Sequence, residues 1–101
     1  MERSQSLRDY ELVYIIKPTV ETEALGGLNE RIQGWIGAGG GEVQRVNPWG
    51  RRRLAYPIEH FRDGTYVQVN FRSAPTALRE LERNLKLAED VLRYMLVRQG
   101  T

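Results

Sequence analysis

Cysteine is absent from this 101-residue chain, which excludes disulfides and thiolate metal sites and suits a reducing compartment. Histidine occurs once, as His60, and no group of His, Asp and Glu has the spacing of metal ligands. Serine and threonine are few, and none lies in a nucleophile-elbow pattern. The glycine-rich stretch at 37–41 has no Lys-Ser/Thr after it and follows a helical pattern, so it reads as a helix stop rather than a phosphate cradle. No apolar run approaches about 18 residues, so no membrane span is expected. Met1 to Asp9 is polar, with no apolar segment behind its charges, unlike a secretory signal. These absences point away from an enzyme, a metal, a cofactor, a small-molecule substrate and a membrane. They point toward a cytoplasmic protein that works by contact.

Lysine is nearly missing too. Of the 15 basic residues 13 are Arg, leaving only Lys17 and Lys86. Arg grips phosphate with two donors and stacks on bases, so this bias favours RNA contact. A GC-rich genome would enrich Arg everywhere, but it accounts less well for the run Arg51-Arg52-Arg53. The net charge of +2 conceals a strong asymmetry. Residues 1–42 carry −3, residues 43–72 carry +4, and residues 73–101 carry +1.

The length fits one domain, able to bury roughly two thirds of its unfolded surface. With 41% hydrophobic and 28% charged residues it reads as globular. Residues 1–9 are expected to be a flexible extension, 10–98 the domain, and 99–101 a short tail. Tyr10 to Ile16 is aromatic and β-branched, a strand ended by Pro18. Leu25, Leu28, Ile32, Trp35 and Ile36 recur at helical spacing, with Thr19 or Thr22 as the expected cap. A long extended segment runs from Glu42 to about Glu59. Pro48 and Pro57 cannot donate to a ladder, which places it at a sheet edge. Arg62-Asp63-Gly64 reads as the turn. Tyr66 to Arg72 alternates, with Val67, Val69 and Phe71 on one face. Pro75 opens a second helix with Leu78, Leu81 and Leu85 as its stripe and a Glu82–Lys86 pair; Val91 to Val97 is the last strand.

The order β-α-β-β-α-β with right-handed crossovers predicts an α+β fold of the ferredoxin-like split βαβ kind. It has a four-stranded antiparallel sheet and two helices on one face. Alternation assigns Val13, Ile15, Tyr66, Gln68, Asn70, Arg93, Met95 and Val97 to the face without helices. So mixed a surface invites a partner. Two functional relatives of this fold fit poorly. Acylphosphatases carry a glycine-containing phosphate loop after the first strand, and Val67 to Arg72 is a glycine-free strand interior. RNA-recognition motifs carry a glycine- and aromatic-rich third strand, and only Tyr66 matches that role.

Gly50-Arg51-Arg52-Arg53-Leu54-Ala55-Tyr56-Pro57-Ile58 resembles the signature of one family, the sixth protein of the bacterial small ribosomal subunit. That pattern reads Gly, any residue, a basic residue, a polar or charged residue, Leu, Ser or Ala, Tyr, any residue, Ile; all nine positions match. Glu59 departs from it, since a basic or small residue usually follows. Tyr10-Glu11 with Pro18, Gly64-x-Tyr66 with Asn70-Phe71 and Pro75, and Asp90-Val91-x-Arg93 with Val97-Arg98 extend the likeness over about residues 8–98. The resemblance implies a non-enzymatic structural component of the ribosome. Such a component binds ribosomal RNA of the central domain together with the eighteenth small-subunit protein as heterodimer partner. Carried onto matching positions it names Arg51, Arg52, Arg53, Tyr10, Tyr66 and Arg93 as contacts, and Trp49 and Tyr56 lie in the same stretch. Each also fits a plainer part: Tyr56 in packing, Arg53 in protecting an edge, Trp49 in anchoring a loop. The alternative is a non-ribosomal ferredoxin-like module that binds a ligand or another protein.

Overall fold

The computed structural model describes residues 6–99. Strand β1 runs over Arg8–Ile16, helix α1 over Thr22–Ala38, β2 over Glu42–Ile58 and β3 over Phe61–Ser73. A 3-10 turn at Pro75–Ala77 leads into α2, Leu78–Leu87, and β4 is Val91–Arg98. The sheet order is β2-β3-β1-β4, with every neighbouring pair antiparallel. This is the expected ferredoxin-like split βαβ arrangement, with β2 at an edge.

The core follows from two periodicities meeting. Tyr10, Leu12, Tyr14 and Ile16 of β1 and Val67, Val69 and Phe71 of β3 all point to one side and are buried. Leu28, Ile32 and Ile36 of α1 and Leu81 and Leu85 of α2 meet them in a single cluster. Each such side chain is worth about 1.5–3 kcal/mol when fully buried. Tyr14 donates to Asn29 Oδ1 at 2.6 Å, tying β1 to α1. Tyr94 donates to Glu82 Oε1 at 2.8 Å, tying β4 to α2. Glu82 is thus taken up by Tyr94 instead of the expected bond to Lys86.

Several local expectations are corrected. The cap of α1 is Glu21 with no side-chain hydrogen bond, and Thr22 is already helical. Strand β1 begins at Arg8, where Arg8 and Asp9 pair with Ser73 and Arg72, so the strand takes in the end of the expected extension. Residues 1–5 of that extension, and 100–101 of the tail, lie outside the described residues; Gln99 donates its backbone N–H to Asp9 O at 2.8 Å.

The hairpin turn is at Glu59-His60, with φ of 50° and 73°, not at Arg62-Asp63-Gly64. Positive φ at both central residues marks a type I′ two-residue turn, whose twist matches that of the flanking strands. Gly64 serves close approach instead. A Cβ built on it would lie 2.5 Å from Ile15 Cγ2 and 3.2 Å from Ile16 O.

This packing generates two predictions. Replacing Gly64 with Ala should cost about 1–3 kcal/mol of overpacking, read as a lower melting temperature. The second concerns alkaline pH. Burial raises the Tyr14 phenol above its ordinary value of 10.0. Burial, the hydrogen bond to Glu82 and that carboxylate's charge push Tyr94 up to about 12. Both folded values exceed the unfolded one. Their contribution is therefore whole below about pH 10 and is lost as pH rises through the folded values. Thermal melts should hold steady up to about pH 10 and then fall, less steeply in Tyr14→Phe.

Candidate RNA and partner surface

The helices cover one side of the sheet, and the opposite side is the candidate surface. Its centre is a chain of side-chain amides around one carboxylate. Gln99 Nε2 donates to Glu11 Oε1 at 3.1 Å, and Gln68 Nε2 donates to Glu11 Oε2. Asn70 Nδ2 donates to Gln99 Oε1 at 3.2 Å, and Asn47 Nδ2 to Gln68 Oε1 at 3.4 Å. These residues come from β2, β3, β1 and the residue after β4, so the belt crosses the whole sheet. Beside it stand Met95, 59% exposed, and Val97, 45% exposed. Glu11, Gln99 and Asn47 are the members that sequence reading missed. Counting by twos from Val13 reaches Glu11, so alternation alone could have found it.

At the far end of the β2–β3 hairpin the character changes from amide to aromatic and cationic. Pairing shifts between Pro48 and Gly50, and Gly50 has φ of 84°. This bulge lets Trp49 lie on Tyr66, with ring centres 5.9 Å apart and planes 13° from parallel. The Arg52 guanidinium carbon is 5.4 Å from the Trp49 ring centre. A second irregularity between Arg53 and Ile58 folds the hairpin over the sheet. Leu54 is buried there at 6% exposure, the one buried residue of β2. It shares a shallow cleft with Ile15, Tyr56, Ile58, Tyr66 and Arg93. Arg93 donates to the Tyr56 hydroxyl and sits 5.5 Å from that ring's centre. The open face is therefore partly roofed by its own hairpin at this end, and bare along the amide belt.

The three consecutive arginines do not act as one cluster. Arg51, Arg52 and Arg53 pair with Thr65, Gly64 and Asp63, so alternation sends Arg52 to the open side and its neighbours to the other. Arg51 donates to Pro18 O at 2.9 Å and fastens the hairpin to the loop after β1. Arg53 lines a cleft with Tyr56, Pro57 and Arg62, and makes no hydrogen bond or ion pair among the described residues. None of the three is neutralised by a carboxylate; the ion pairs among the described residues are Arg72–Asp9 at 3.0 Å and Arg83–Glu80 at 4.0 Å. Tyr10 requires a correction. It is 5% exposed and stacks on Phe71 in the core, centres 5.6 Å apart, so it offers no surface for contact. Trp49, Tyr66, Arg52, Tyr56 and Arg93 are brought together; Tyr10 is not. Among the described residues no group of His, Asp and Glu could hold a metal ion, and no helix is long and apolar enough to cross a membrane.

These features define a ferredoxin-like domain whose sheet presents amide, aromatic and guanidinium groups on its uncovered side. A family model for ribosomal protein S6 matches residues 9–98. The small ribosomal subunit protein bS6 of Desulforamulus reducens is 42% identical over 94 residues, 93% of this chain and 99% of that one. That of Moorella thermoacetica is 42% identical over 91% of this chain and 94% of its own. The crystal structure of 30S ribosomal protein S6 from Thermotoga maritima superposes with a TM-score of 0.89 at 32% identity, covering 93% and 89% of the two chains. The C-terminal domain of MgtC from Mycobacterium tuberculosis shares the fold alone, with a TM-score of 0.65 at 15% identity. The chain belongs to the ribosomal protein S6 family, as its signature stretch suggested, and with it to the cytoplasmic, ribosome-associated proteins of the small subunit.

The Trp49–Tyr66 stack has a direct optical readout. The other tryptophan, Trp35, packs half-buried against the core, so a Trp35→Phe variant isolates Trp49. In that background Tyr66→Ala should shift Trp49 emission to longer wavelength and cost about 0.5–1.5 kcal/mol of pair energy.

Proposed function

We propose that this chain binds ribosomal RNA of the small subunit's central domain through the β2–β3 hairpin, and that the bare amide-belted part of the sheet docks the eighteenth small-subunit protein. The observation that carries the RNA reading is the Trp49–Tyr66 stack with Arg52 beside it: aromatic faces and a guanidinium free of carboxylates at one exposed end. Aromatic planes stack on unpaired bases, and Arg contributes both phosphate binding and stacking. Arg53 and Arg62 extend the positive field along the same hairpin.

The belt suits a protein partner for a different reason. Glu11 accepts from two amides and forms no ion pair among the described residues, so a cation from outside has a free carboxylate to meet. Exposed Met95 and Val97 supply apolar area beside it. A basic protein with a small apolar patch would satisfy both. Joined to such a partner, the complex would carry more positive charge than this chain's +2, and RNA affinity should rise.

A mobility-shift assay with central-domain RNA, with and without the partner, tests the reading; equal affinity in both cases defeats the cooperative part. Replacing Arg51, Arg52 and Arg53 with Ala should flatten the plot of log affinity against log salt by about 0.9 for each phosphate the variant no longer neutralises. An unchanged slope would leave these residues with their structural roles, Arg51 on Pro18 above all.

A further inference from the structure

The outer face of α2 carries a row of cations that play no part in the hairpin or the amide belt. Arg79, Arg83 and Lys86 stand four and three residues apart, so they share one face of the helix. The rise between neighbours is about 4.5–6 Å. All three are exposed, and they line a groove with Pro75 and Leu78 that ends at Leu87, 68% exposed.

Two carboxylates of α2 lie near this row, and Glu89 and Asp90 follow in the exposed turn before β4. Glu80 reaches Arg83 only at 4.0 Å, with both side chains about 70% exposed, so it neutralises little. Glu82 accepts the Tyr94 hydroxyl. The row also continues. Lys86 lines a second cleft with Glu59, Tyr94 and Arg93, and Arg93 lines the next one with Tyr56 under the hairpin. One cationic path therefore runs from α2, past the start of β4, to the aromatic end of the hairpin. Glu82 in the groove, Glu59 in the second cleft, and Glu89 and Asp90 in the turn before β4 are the acidic groups along it.

We propose that this α2 face is a second RNA contact, where Arg79, Arg83 and Lys86 hold backbone phosphates of a strand that reaches the hairpin past Arg93. The inference rests on the reading that the hairpin binds RNA, and it extends the bound surface round the end of the sheet. Nothing on this path is built to read bases, so its contribution is positional and sequence-independent.

The test compares salt dependence of binding to central-domain RNA for the intact chain, for R79Q/R83Q/K86Q, and for the hairpin variant R51A/R52A/R53A. Gln has nearly the helix propensity of Arg and Lys, and the sites are exposed, so α2 should persist; circular dichroism checks this. The α2 variant should flatten the salt slope by about 0.9 for each phosphate released from the helix, up to about three phosphates, whatever the RNA sequence. R79K/R83K, which keeps the charge, should retain the intact chain's slope. An α2 variant with an unchanged slope, beside a hairpin variant that loses affinity, overturns this proposal and leaves the hairpin reading standing. So does an α2 variant that keeps its RNA slope but no longer binds the partner protein. A flattened slope for the α2 variant with none for the hairpin variant supports the α2 contact and removes the hairpin's.

Discussion

Everything in this molecule depends on one-sided burial of the sheet. The side chains of β1 and β3 that face the helices are apolar at every second position, and the stripes of α1 and α2 cover them. With only two helices available, the fold closes one face and leaves the other exposed. That second face cannot be apolar throughout without inviting aggregation. The amide belt answers this constraint. Five polar side chains, from three strands and the residue after β4, hydrogen-bond one another, so the face is polar without leaving those groups unpaired. The exposed apolar groups beside the belt, Met95 and Val97, lie on β4, with half-buried Val13 and Ile15 next to them on β1.

The β2–β3 hairpin runs past the end of β1, where β3 has no partner on its other side, and folds back over the sheet. A two-stranded ribbon of that kind is only marginally stable by itself. Three contacts fasten it. Leu54 buries itself against the open side, Arg51 bonds to Pro18 O, and Gly64 allows β3 to pass close over Ile15. The signature stretch is thus partly a structural device. Its Gly bends the strand, its Leu anchors it, its first Arg tethers it, and its Tyr holds Arg93. Arg52, Arg53 and the aromatic stack are the parts of the stretch left without such a structural tie, and the proposed RNA contact falls on them.

Much of this was legible from residue periodicity. Alternation named the two faces of β1 and β3, and the prolines of β2 placed it at an edge. The failures have physical reasons. Tyr10 was assigned by resemblance to the contact surface, although counting by twos from Leu12 puts it with the core, and the core is where it lies. The run Arg62-Asp63-Gly64 has the composition of a turn, but composition does not separate a glycine needed for positive φ from one needed for close approach. The turn instead uses Glu59 and His60, at a conformational cost their side chains do not advertise. Three adjacent arginines look like one patch in a string of letters, and a strand sends the middle one the opposite way from its neighbours. The cross-strand partners of Glu11 were beyond reach, because they require the register of three strands at once.

The same register explains how one small domain can hold two unlike surfaces without interference. Glu11 and Arg93 lie on the same uncovered side, four residues apart along paired strands, since Glu11 pairs with Val97 and Ile15 with Arg93. Each is occupied locally, Glu11 by amides and Arg93 by Tyr56, so neither neutralises the other. Four residues of strand set the two about 13 Å apart, beyond the roughly 8–10 Å over which exposed charges feel one another at physiological salt, so their attraction is weak. Strand spacing thus keeps an acidic zone around Glu11 and a cationic zone around Arg93 apart on one face, the separation that the proposed docking of a basic protein and an RNA would use. In the proposed joint assembly, a single mixed zone would let the protein and the RNA compete for the same charges.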